Sequence, residues 1–387
     1  MKAVVIGAGI SGVTTAYFLS QNNIDVTLIE SRRYPAMATS YANGGQLSAS
    51  NAEAWNSWHN VKTGLKSFFS NSHSSVIMSP FPSISKLMWL FKFIQNIKNS
   101  ETITYDICKM AVNSIKLYDN IAKKESLDFD KLDKGIIHLY MDKKHTENAE
   151  NINLIYKKAG LKRFRITHEE LYSLEPSLKH KKLDSIFFTP TDKTGDIHKF
   201  CRDLTNKMVK KNKVKLLNYN VENLKEFSEQ FDLTVVCAGV YSPFLAKTVG
   251  DSLNIYPVKG YSITINNPGN NTPHVSLLDD FKKIVTSRLG NDRLRVAGFA
   301  EFNGYNLDII QSRIRPLIKW CTEMFPKINT NDIKPWAGLR PMTPNMLPIV
   351  KRSNNNPKVW YNTGHGHLGW TLSAYTAREI AIKILKD

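Results

Sequence analysis

The sequence predicts a mixed α/β fold, α+β overall, in which a domain with a parallel sheet is assembled from discontinuous segments and receives an inserted, mainly antiparallel-sheet domain. Two observations support this prediction. The chain opens with an apolar run, a glycine-rich turn, a helical stretch and a second apolar run, and similar runs that end in glycine return only after residue 230. Between these segments, short apolar runs follow one another at close turns, which is typical of antiparallel sheets.

The first segment predicts a βαβ unit. Residues Lys2 to Ile6 and Asp25 to Glu30 have the continuous apolar character of buried strands, and Ser11 to Gln21 between them favours a helix. The turn at residues 7–12 reads Gly-Ala-Gly-Ile-Ser-Gly, which is the GxGxxG pattern of Rossmann-type dinucleotide-binding domains. Glu30 ends the second strand, where an acid can accept hydrogen bonds from ribose hydroxyls. We therefore expect a pyrophosphate at the N-terminus of the helix.

The remaining strands divide between the two domains. Residues Leu233 to Ala238 and Val359 to Thr363 each precede a glycine and are expected to join the parallel sheet. The inserted domain is predicted to hold strands at 135–141, 185–190, 256–265, 275–279, 283–288 and 293–299, with the last two joined as a hairpin by residues 289–292. The predicted boundaries give residues 1–60, 190–250 and 330–387 to the dinucleotide-binding domain, and residues 61–189 and 251–329 to the inserted substrate domain.

The composition excludes several classes of protein. With 387 residues, of which 42% are hydrophobic and 22% charged, the chain can bury two large cores and has no disordered or fibrous bias. The four cysteines form no CxxC pair, which argues against a disulfide framework or a zinc site and favours the reducing cytoplasm; they are Cys108, Cys201, Cys237 and Cys321. The apolar run at the start is too short for a signal peptide, and no apolar run has the length of a membrane span.

The formal net charge of +18 leaves two interpretations open, a solvated basic surface or attraction to the anionic face of a membrane. The charge is dispersed and accompanies no motif that reads bases, which argues against nucleic acid as a partner. After a Ser- and Pro-rich stretch that begins at Phe68, the segment from Lys86 to Ile94 favours a helix. This helix either packs on the second domain or presses Trp89 and Phe93 into lipid headgroups, as a peripheral protein on the inner face of the cytoplasmic membrane would.

Two further glycine-rich segments favour FAD over NAD. The fingerprint alone fits either cofactor, because both present an ADP half to such a site. Residues 41–48 contain two adjacent glycines where the flavin end of a long dinucleotide could pass beneath the backbone. Residues 362–370 form a second glycine-rich loop ahead of a helix, whose N-terminus could stabilise the negative charge of a reduced flavin.

Five segments together resemble the D-amino-acid oxidase-like family of FAD-dependent flavoproteins. They are the glycine-rich start and residues 41–50 (Tyr-Ala-Asn-Gly-Gly-Gln-Leu-Ser-Ala-Ser), 257–261 (Pro-Val-Lys-Gly-Tyr), 338–344 (Gly-Leu-Arg-Pro-Met-Thr-Pro) and 362–370 (Asn-Thr-Gly-His-Gly-His-Leu-Gly-Trp). Within the family, these segments are similar to the dehydrogenase branch rather than to the sarcosine or glycine oxidases. The resemblance implies oxidative deamination of a small D-amino acid, with a hydride passing from the substrate α-carbon to flavin N5 and the electrons passing on to a quinone or another carrier.

The cofactor is expected to be non-covalent FAD, because no cysteine lies in the C-terminal glycine loop. Residues 218–232 are shorter than the equivalent segment expected in relatives, which puts the adenine side of the site in question. The residues expected to contact the cofactor are Gly7, Gly9, Ile10, Ser11, Gly12, Glu30, Ser31, Asn43, Gly44, Gly45, Gln46, Leu47, Val221, Ala238, Gly239, Gly338, Arg340, Gly364, His367, Leu368, Gly369, Trp370 and Thr371.

Four residues are candidates for the reaction itself. Arg340 is expected to hold the substrate carboxylate, because a planar guanidinium can bind a carboxylate through two hydrogen bonds, although backbone carbonyls could also satisfy it. Tyr261 could cover the substrate or be ordinary core. His365 and His367 are expected to line the flavin pocket, with a role as catalytic base left open and no metal expected, because a third ligand is missing nearby.

Hydride transfer needs no catalytic base once the substrate amine is neutral. Two rival functions remain open at this stage. One is an oxidase of the same fold that reacts with oxygen and acts on glycine, sarcosine or hydroxyproline. The other is a flavin-binding protein without catalytic activity.

Overall fold

The structure of the protein is a computed structural model that describes residues 1–66, 75–79 and 83–387. Residues 67–74 and 80–82, which belong to the Ser- and Pro-rich stretch, lie outside the described residues. The strands are β1 (Lys2–Ile6), β2 (Asp25–Glu30), β3 (Gln46–Leu47), β4 (Val76–Met78), β5 (Ile136–Tyr140), β6 (Phe164–Arg165), β7 (Ser185–Thr189), β8 (Lys193–Thr194), β9 (Val214–Asn218), β10 (Leu233–Val236), β11 (Tyr256–Asn266), β12 (Ser276–Asp279), β13 (Ile284–Leu289), β14 (Arg293–Phe302), β15 (Ile333–Met342), β16 (Ile349–Arg352) and β17 (Val359–Thr363). The helices are α1 (Ile10–Ser20), α2 (Trp58–Lys66), α3 (Ile84–Gln95), α4 (Ser100–Lys124), α5 (Lys143–Lys158), α6 (His168–Leu174), α7 (Ile197–Lys210), α8 (Leu224–Ser228), α9 (Ser242–Thr248), α10 (Gln311–Met324) and α11 (Gly369–Lys386).

One sheet has the strand order β16-β17-β10-β1-β2-β9 and is parallel except for β16. Its central strand β1 pairs with β2 and β10, so that Val5 lies between Leu28 and Val235. All three side chains are fully buried, because helices cover both faces of such a sheet. The prediction that this sheet is assembled from discontinuous segments is confirmed.

The other large sheet has the order β15-β11-β14-β13-β12-β5-β7-β6, with β4 added beside β14. Its pairs are antiparallel except for β5 with β12 and β4 with β14. Strands β13 and β14 form the predicted hairpin around Gly290, which adopts φ +64°. The mainly antiparallel character of the second sheet is therefore confirmed.

The helices α1, α4 and α11 pack together against the parallel sheet and share one hydrophobic core. Helix α3 contributes Trp89 and Phe93 to the same core, where the two rings stack with centroids 5.1 Å apart. The interpretation that these two side chains press into lipid headgroups is wrong, because they are 2% and 6% exposed. The opposite face of the helix carries the exposed apolar side chains Ile84, Leu87, Met88 and Phe91.

All four cysteines are free and buried. Burial raises the pKa of the Cys108 and Cys237 thiols to about 12, so neither is a thiolate near neutrality. Among the helices of the described residues, none combines the length and the apolar content needed to cross a bilayer.

Candidate functional site

A cleft of about 1310 Å³ lies where the carboxyl ends of β1, β2 and β10 meet the antiparallel sheet. Both the glycine turn after β1 and Glu30 at the end of β2 line it. Ligands bind at this edge of open α/β sheets, because the loops after the strands diverge there. The cleft is larger than the range of about 300–1,000 Å³ that is usual for a small ligand. It has room for a long cofactor and a substrate together.

At the dinucleotide end, two glycines let the backbone pack closely. Gly7 adopts φ +99°, and a Cβ there would lie 2.7 Å from the Cys237 carbonyl oxygen. A Cβ on Gly12 would lie 1.7 Å from the Gly7 carbonyl oxygen, so α1 can approach β1 only with glycine at this position. The Glu30 carboxylate accepts hydrogen bonds from the backbone N–H groups of Ala8 and Arg32, both at 3.0 Å. These bonds fix the carboxylate where ribose hydroxyls could reach it.

The N-terminus of α1 opens into the same cleft. Gly9, Ile10 and Ser11 line it, and the Ile10 N–H donates to the Ser40 hydroxyl at 3.1 Å. The first N–H groups of a helix have no partner within the helix and carry the positive end of its dipole. This end therefore suits a phosphate group.

The middle of the cleft is formed by the loop before β3. Asn43 and Gly44 line it, and the Asn43 side-chain oxygen accepts from the Gly45 N–H at 3.0 Å. Gly45 adopts φ +74°, and a Cβ on Gly44 would lie 2.8 Å from Val285 of β13. Gln46 donates to the Ser276 hydroxyl at 2.8 Å. These contacts attach the loop to the antiparallel sheet.

The loop between β17 and α11 closes the cleft on the other side. Gly364 and Gly366 adopt φ +75° and +58°, which brings the N-terminus of α11 to the cleft. Within the described part of the chain, the indole Nε1 of Trp370 is buried without a hydrogen-bond partner. A buried donor of this kind is costly unless a ligand or water satisfies it.

Arg340 of β15 projects into the cleft beside a bulge of β14. The pairing of β11 with β14 shifts register between Lys259 and Tyr261, and Phe299 at the bulge adopts φ +64°. Its carbonyl oxygen thereby accepts a hydrogen bond from Nη1 of Arg340 at 2.7 Å. A Cβ on Gly260 would lie 2.4 Å from Nη2, so glycine leaves the space that the guanidinium occupies.

Arg340 is positioned to bind an anion. Burial lowers the pKa of its guanidinium to about 10, which still leaves it cationic at neutral pH. Of the residues that the structure describes, no carboxylate lies within 4.0 Å of it. A cation set in a protein wall without a carboxylate partner favours a ligand that brings one.

Tyr261 of β11 is buried at the wall of the cleft and belongs to a hydrogen-bonded set of polar groups. Its hydroxyl donates to the Glu301 carboxylate at 2.7 Å, and the other Glu301 oxygen lies 3.4 Å from the Lys259 ammonium. Burial and the Glu301 carboxylate raise the pKa of Tyr261 well above its usual range. Because its proton points to Glu301, the phenol oxygen can accept a hydrogen bond from a ligand.

The two histidines of the C-terminal loop point to different partners. His365 lines the cleft, but its ring is buried and lies 2.8 Å from the Thr376 hydroxyl. The His367 ring stacks on Trp55 with centroids 4.6 Å apart and lines the cleft. Burial lowers the pKa of His365 to about 4, and burial with the charge of Arg340 lowers the pKa of His367 to about 3. Both imidazoles are therefore neutral at physiological pH.

The cleft brings together most of the residues that the sequence predicts for the site. Those that do not line it are Gly12, Gly45, Leu47, Gly364 and Thr371. Three of the five are glycines that shape the backbone. The other two are buried behind the wall of the cleft, where the Thr371 hydroxyl accepts from the Ser48 N–H at 3.1 Å. The predicted roles in binding and catalysis stay predictions.

Sequence reasoning missed several residues of the site. Trp55 and Gly260 touch predicted residues, the first by stacking on His367 and the second by leaving space for Arg340. Lys283 and Phe299 line the cleft with positive φ angles of +53° and +64°. Only Gly260 had a sequence signal, as part of the segment 257–261, since the others depend on contacts between distant strands.

Comparisons with known proteins show the family to which the chain belongs. A family model described as "FAD dependent oxidoreductase" matches residues 2–381. The chain is 47% identical over 405 aligned residues to a protein named "D-amino acid dehydrogenase 3" from Mesorhizobium japonicum, and the alignment covers 100% of this chain and 97% of that protein.

Two solved structures share the fold. The L-proline dehydrogenase from P. horikoshii superposes with a TM-score of 0.75 at 17% identity, covering 100% of this chain and 93% of that one. The L-alpha-glycerophosphate oxidase from Mycoplasma pneumoniae, solved with FAD bound, superposes with a TM-score of 0.74 at 19% identity and covers 100% and 94%. At such identities the likeness concerns the fold and not the substrate.

Proposed function

Since the chain belongs to the family of FAD dependent oxidoreductases, with FAD as its cofactor, we propose that it is a dehydrogenase of D-amino acids that passes the electrons to a quinone or another carrier. The name of the relative that is 47% identical supports the substrate class. The observation that carries the proposal is Arg340, a cation in the wall of the cleft that has no carboxylate partner within 4.0 Å among the described residues. An α-amino acid supplies the missing carboxylate.

The residues of the cleft fit FAD. Glu30 would hold the ribose, and the N-terminus of α1 would hold the pyrophosphate. The loop from Asn43 to Leu47 would lie along the cofactor toward its flavin end. The N-terminus of α11 would face the flavin, where the orphan Nε1 of Trp370 offers a donor. When bound, FAD supplies the hydride acceptor for the oxidation.

Arg340 would bind the substrate α-carboxylate. The Phe299 carbonyl uses one N–H of the guanidinium, and the other donors remain available for the two carboxylate oxygens. A carboxylate held by two parallel hydrogen bonds fixes the orientation of the adjacent α-hydrogen. The phenol oxygen of Tyr261 would accept from the substrate amine, since its own proton is donated to Glu301.

The histidines would shape the site rather than accept protons. A group with a pKa of about 3 or 4 is a weak base at neutral pH, so His367 and His365 are poor proton acceptors there. The His367 ring and the Trp55 indole would exclude water from one side of the substrate. The amine must then lose its proton before the substrate binds, or pass it to water in the cleft.

The test is anaerobic reduction of the purified holoenzyme. D-Alanine is expected to bleach the flavin absorbance, whereas L-alanine and sarcosine leave it unchanged. Bleaching by L-alanine or sarcosine alone would contradict the substrate class. Re-oxidation by a quinone analogue that is faster than re-oxidation by oxygen supports a dehydrogenase, and the reverse order would make the protein an oxidase.

A variant separates the substrate site from the cofactor site. Arg340→Leu is expected to retain FAD. It should lower kcat/KM for D-alanine roughly 30-fold to several thousand-fold, which corresponds to a loss of about 2–5 kcal/mol of binding free energy in the transition state. Lys351→Leu, which removes the exposed cation of β16, is the matched control and should leave kcat/KM unchanged. Equal activity in Arg340→Leu and the parent enzyme would refute the carboxylate role of Arg340.

We also propose that the protein is cytoplasmic and rests on the inner face of the membrane. The support is the face of α3 that carries Ile84, Leu87, Met88 and Phe91, which are between 55% and 79% exposed, together with the net charge of +18. A face of this kind would bring the enzyme to membrane-bound quinone.

The motifs are also similar to the small subunit of D-amino-acid dehydrogenases, and co-purification of a second polypeptide would test whether a partner subunit exists.

A further inference from the structure

Beyond Arg340 the cleft extends into a lobe next to the turn that joins β12 to β13. Lys283 in this turn and His59 of α2 line the lobe, and so do His138 of β5 and Lys144 of α5. The proposed function uses none of these side chains. Their position suits the side chain of a substrate whose carboxylate is held by Arg340.

The turn between the antiparallel strands β12 and β13 fixes the backbone of Lys283. Lys283 is the last residue of this turn and adopts the left-handed φ of +53° that such hairpin turns use. Its ammonium stands 3.3 Å from one oxygen of the Asp280 carboxylate. More than half of the Lys283 side-chain surface, 54%, is exposed, and the residue lines the cleft. Asp280 thus takes one of the three N–H donors, and the others can reach a ligand.

Asp280 is itself fixed by a chain of buried hydrogen bonds. Its second carboxylate oxygen lies 2.9 Å from Nδ1 of His138, and Nε2 of His138 lies 2.7 Å from the Ser50 hydroxyl. Ser50 in turn donates to the Asp192 carboxylate at 2.6 Å. Burial alone would raise the pKa of Asp280, but Lys283 and His138 hold it well below its usual range. Asp280 is therefore an anchored anion that positions the lysine.

The charge of Lys283 acts on both ends of the lobe. It contributes to lowering the pKa of His367, on which Arg340 also acts, and the pKa of His59. Burial is the larger cause in both cases. Geometry places Lys283 near the same bulge as Arg340: the Lys283 carbonyl oxygen lies 3.4 Å from the position of a Cβ on Gly298, and the neighbouring Phe299 carbonyl accepts from Arg340. Because both residues line one cleft beside this bulge, one small molecule could contact both cations.

The cations of the lobe outnumber its acids. Asp280, which pairs with Lys283 and His138, and Glu53, which accepts from the Asn148 side-chain amide at 3.2 Å, are the carboxylates on this part of the wall. Lys144, Arg163 and Lys283 line it as cations. The field that a ligand meets is therefore favourable to an anion.

We propose that Lys283 is a specificity-determining residue that binds the side-chain carboxylate of an acidic D-amino acid, while Arg340 binds its α-carboxylate. The substrate class is accordingly D-aspartate and D-glutamate, with the neutral D-amino acids as poorer substrates. This inference rests on the proposed function and deepens it. Asp280 serves as a positioning residue for the lysine.

The test compares acids with the amides of the same shape in the holoenzyme. The ratio of kcat/KM for D-glutamate to that for D-glutamine, and for D-aspartate to D-asparagine, is expected to exceed one in the parent enzyme. Lys283→Met should lower the better of the two ratios by about tenfold or more, and Lys283→Arg should keep it near the parent value. The matched control is Lys282→Met, which removes a neighbouring cation that pairs with Glu323 at 3.4 Å and should leave both ratios unchanged.

A binding measurement without turnover complements the kinetics. Glutarate, a five-carbon dicarboxylate, should perturb the flavin spectrum of the parent enzyme at lower concentration than butyrate, and this difference should vanish in Lys283→Met. The inference is overturned if the parent enzyme prefers the amides, or if Lys283→Met keeps the parent ratio. Failure of the proposed function has a different signature, because then no D-amino acid, acidic or neutral, bleaches the flavin.

Discussion

At the scale of single residues, the space that Gly260 leaves for Arg340 predicts how Gly260→Ala changes activity. In Gly260→Ala the new methyl group would meet Nη2 at 2.4 Å, so the guanidinium must move by about an ångström. A misplacement of this size costs roughly 100-fold in kcat/KM. Steady-state kinetics with D-amino acids check this, and FAD content should stay at the parent level.

The control for Gly260→Ala is Ile263→Val on the same strand. This change removes a buried methyl group and costs about 0.5–1.5 kcal/mol of stability without touching the cleft. If both variants lost activity equally, general destabilisation of β11 would explain the result and the steric argument would fail.

The pKa values of the two loop histidines set the expected pH dependence. With pKa values of about 4 and 3, His365 and His367 stay neutral at every pH above about 5 and contribute no titration there. kcat/KM should therefore rise with pH through the pKa of the substrate ammonium. Substrates whose amines have lower pKa values should shift the midpoint downward. In His367→Asn the midpoint should not move even if the rate falls, and a moved midpoint would assign the proton to His367.

The residues that sequence could predict are those whose role is local. Gly7, Gly9 and Glu30 belong to a fingerprint contained within one βαβ unit, so their spacing alone indicates their place. The φ angle of Phe299 and the direction of Lys283 depend on how β14 pairs with β11 and β13. Register between strands far apart in sequence is set by the whole sheet, and the sequence pattern does not fix where a bulge falls.

At the scale of elements, the contact of α1 with β1 decides whether the dinucleotide site can form. Gly12→Ala would set a methyl group 1.7 Å from the Gly7 carbonyl oxygen and force the helix away from the strand. We expect this overpacking to lower the free energy of unfolding by about 1–3 kcal/mol and the protein to lose its bound FAD. The thermal unfolding midpoint and the flavin absorbance after gel filtration measure the two effects.

Ser20→Ala near the end of the same helix is the control. Ser20 is buried, and its hydroxyl donates within the helix to the Tyr17 carbonyl at 2.9 Å. This variant should keep its flavin. Retention of FAD at the parent level by Gly12→Ala would show that the close approach of α1 is not required for binding.

The elements also show what hydrophobic pattern could and could not reveal. The helix at Lys86 to Ile94 was predicted, and α3 spans Ile84–Gln95. Its two faces are both apolar, so the pattern could not tell which one is buried. Tertiary contacts decide this, because Trp89 donates from Nε1 to the Met342 carbonyl at 2.8 Å.

At the scale of the whole molecule, the net charge and the exposed face of α3 predict a salt-sensitive association with lipid. Binding to anionic vesicles should weaken as ionic strength rises, because the electrostatic part is screened beyond a Debye length of about 8–10 Å. Met88→Asp combined with Phe91→Asp should reduce the bound fraction in vesicle sedimentation by about tenfold or more. Neither side chain lines the cleft, so the kinetics with soluble acceptors provide an internal check.

Leu154→Asp gives the comparison that this experiment needs. Leu154 on α5 is 62% exposed, close to the 55% and 64% of Met88 and Phe91, but belongs to another element. If Leu154→Asp weakened vesicle binding as much as the double variant, the effect would come from total charge and not from α3.

The predicted domain boundaries at residues 60, 190, 250 and 330 stay a prediction at this scale.

The order of strands in the parallel sheet also governs how the chain reaches this structure. Protein synthesis delivers β1, α1 and β2 first, yet the neighbour β10 begins at residue 233 and β17 at residue 359. Until those strands emerge, the nascent chain holds a strand with an unpaired, apolar edge, which invites aggregation. Added chaperone that covers this edge should therefore raise the yield of active protein, because the cofactor site closes only when the last strand arrives.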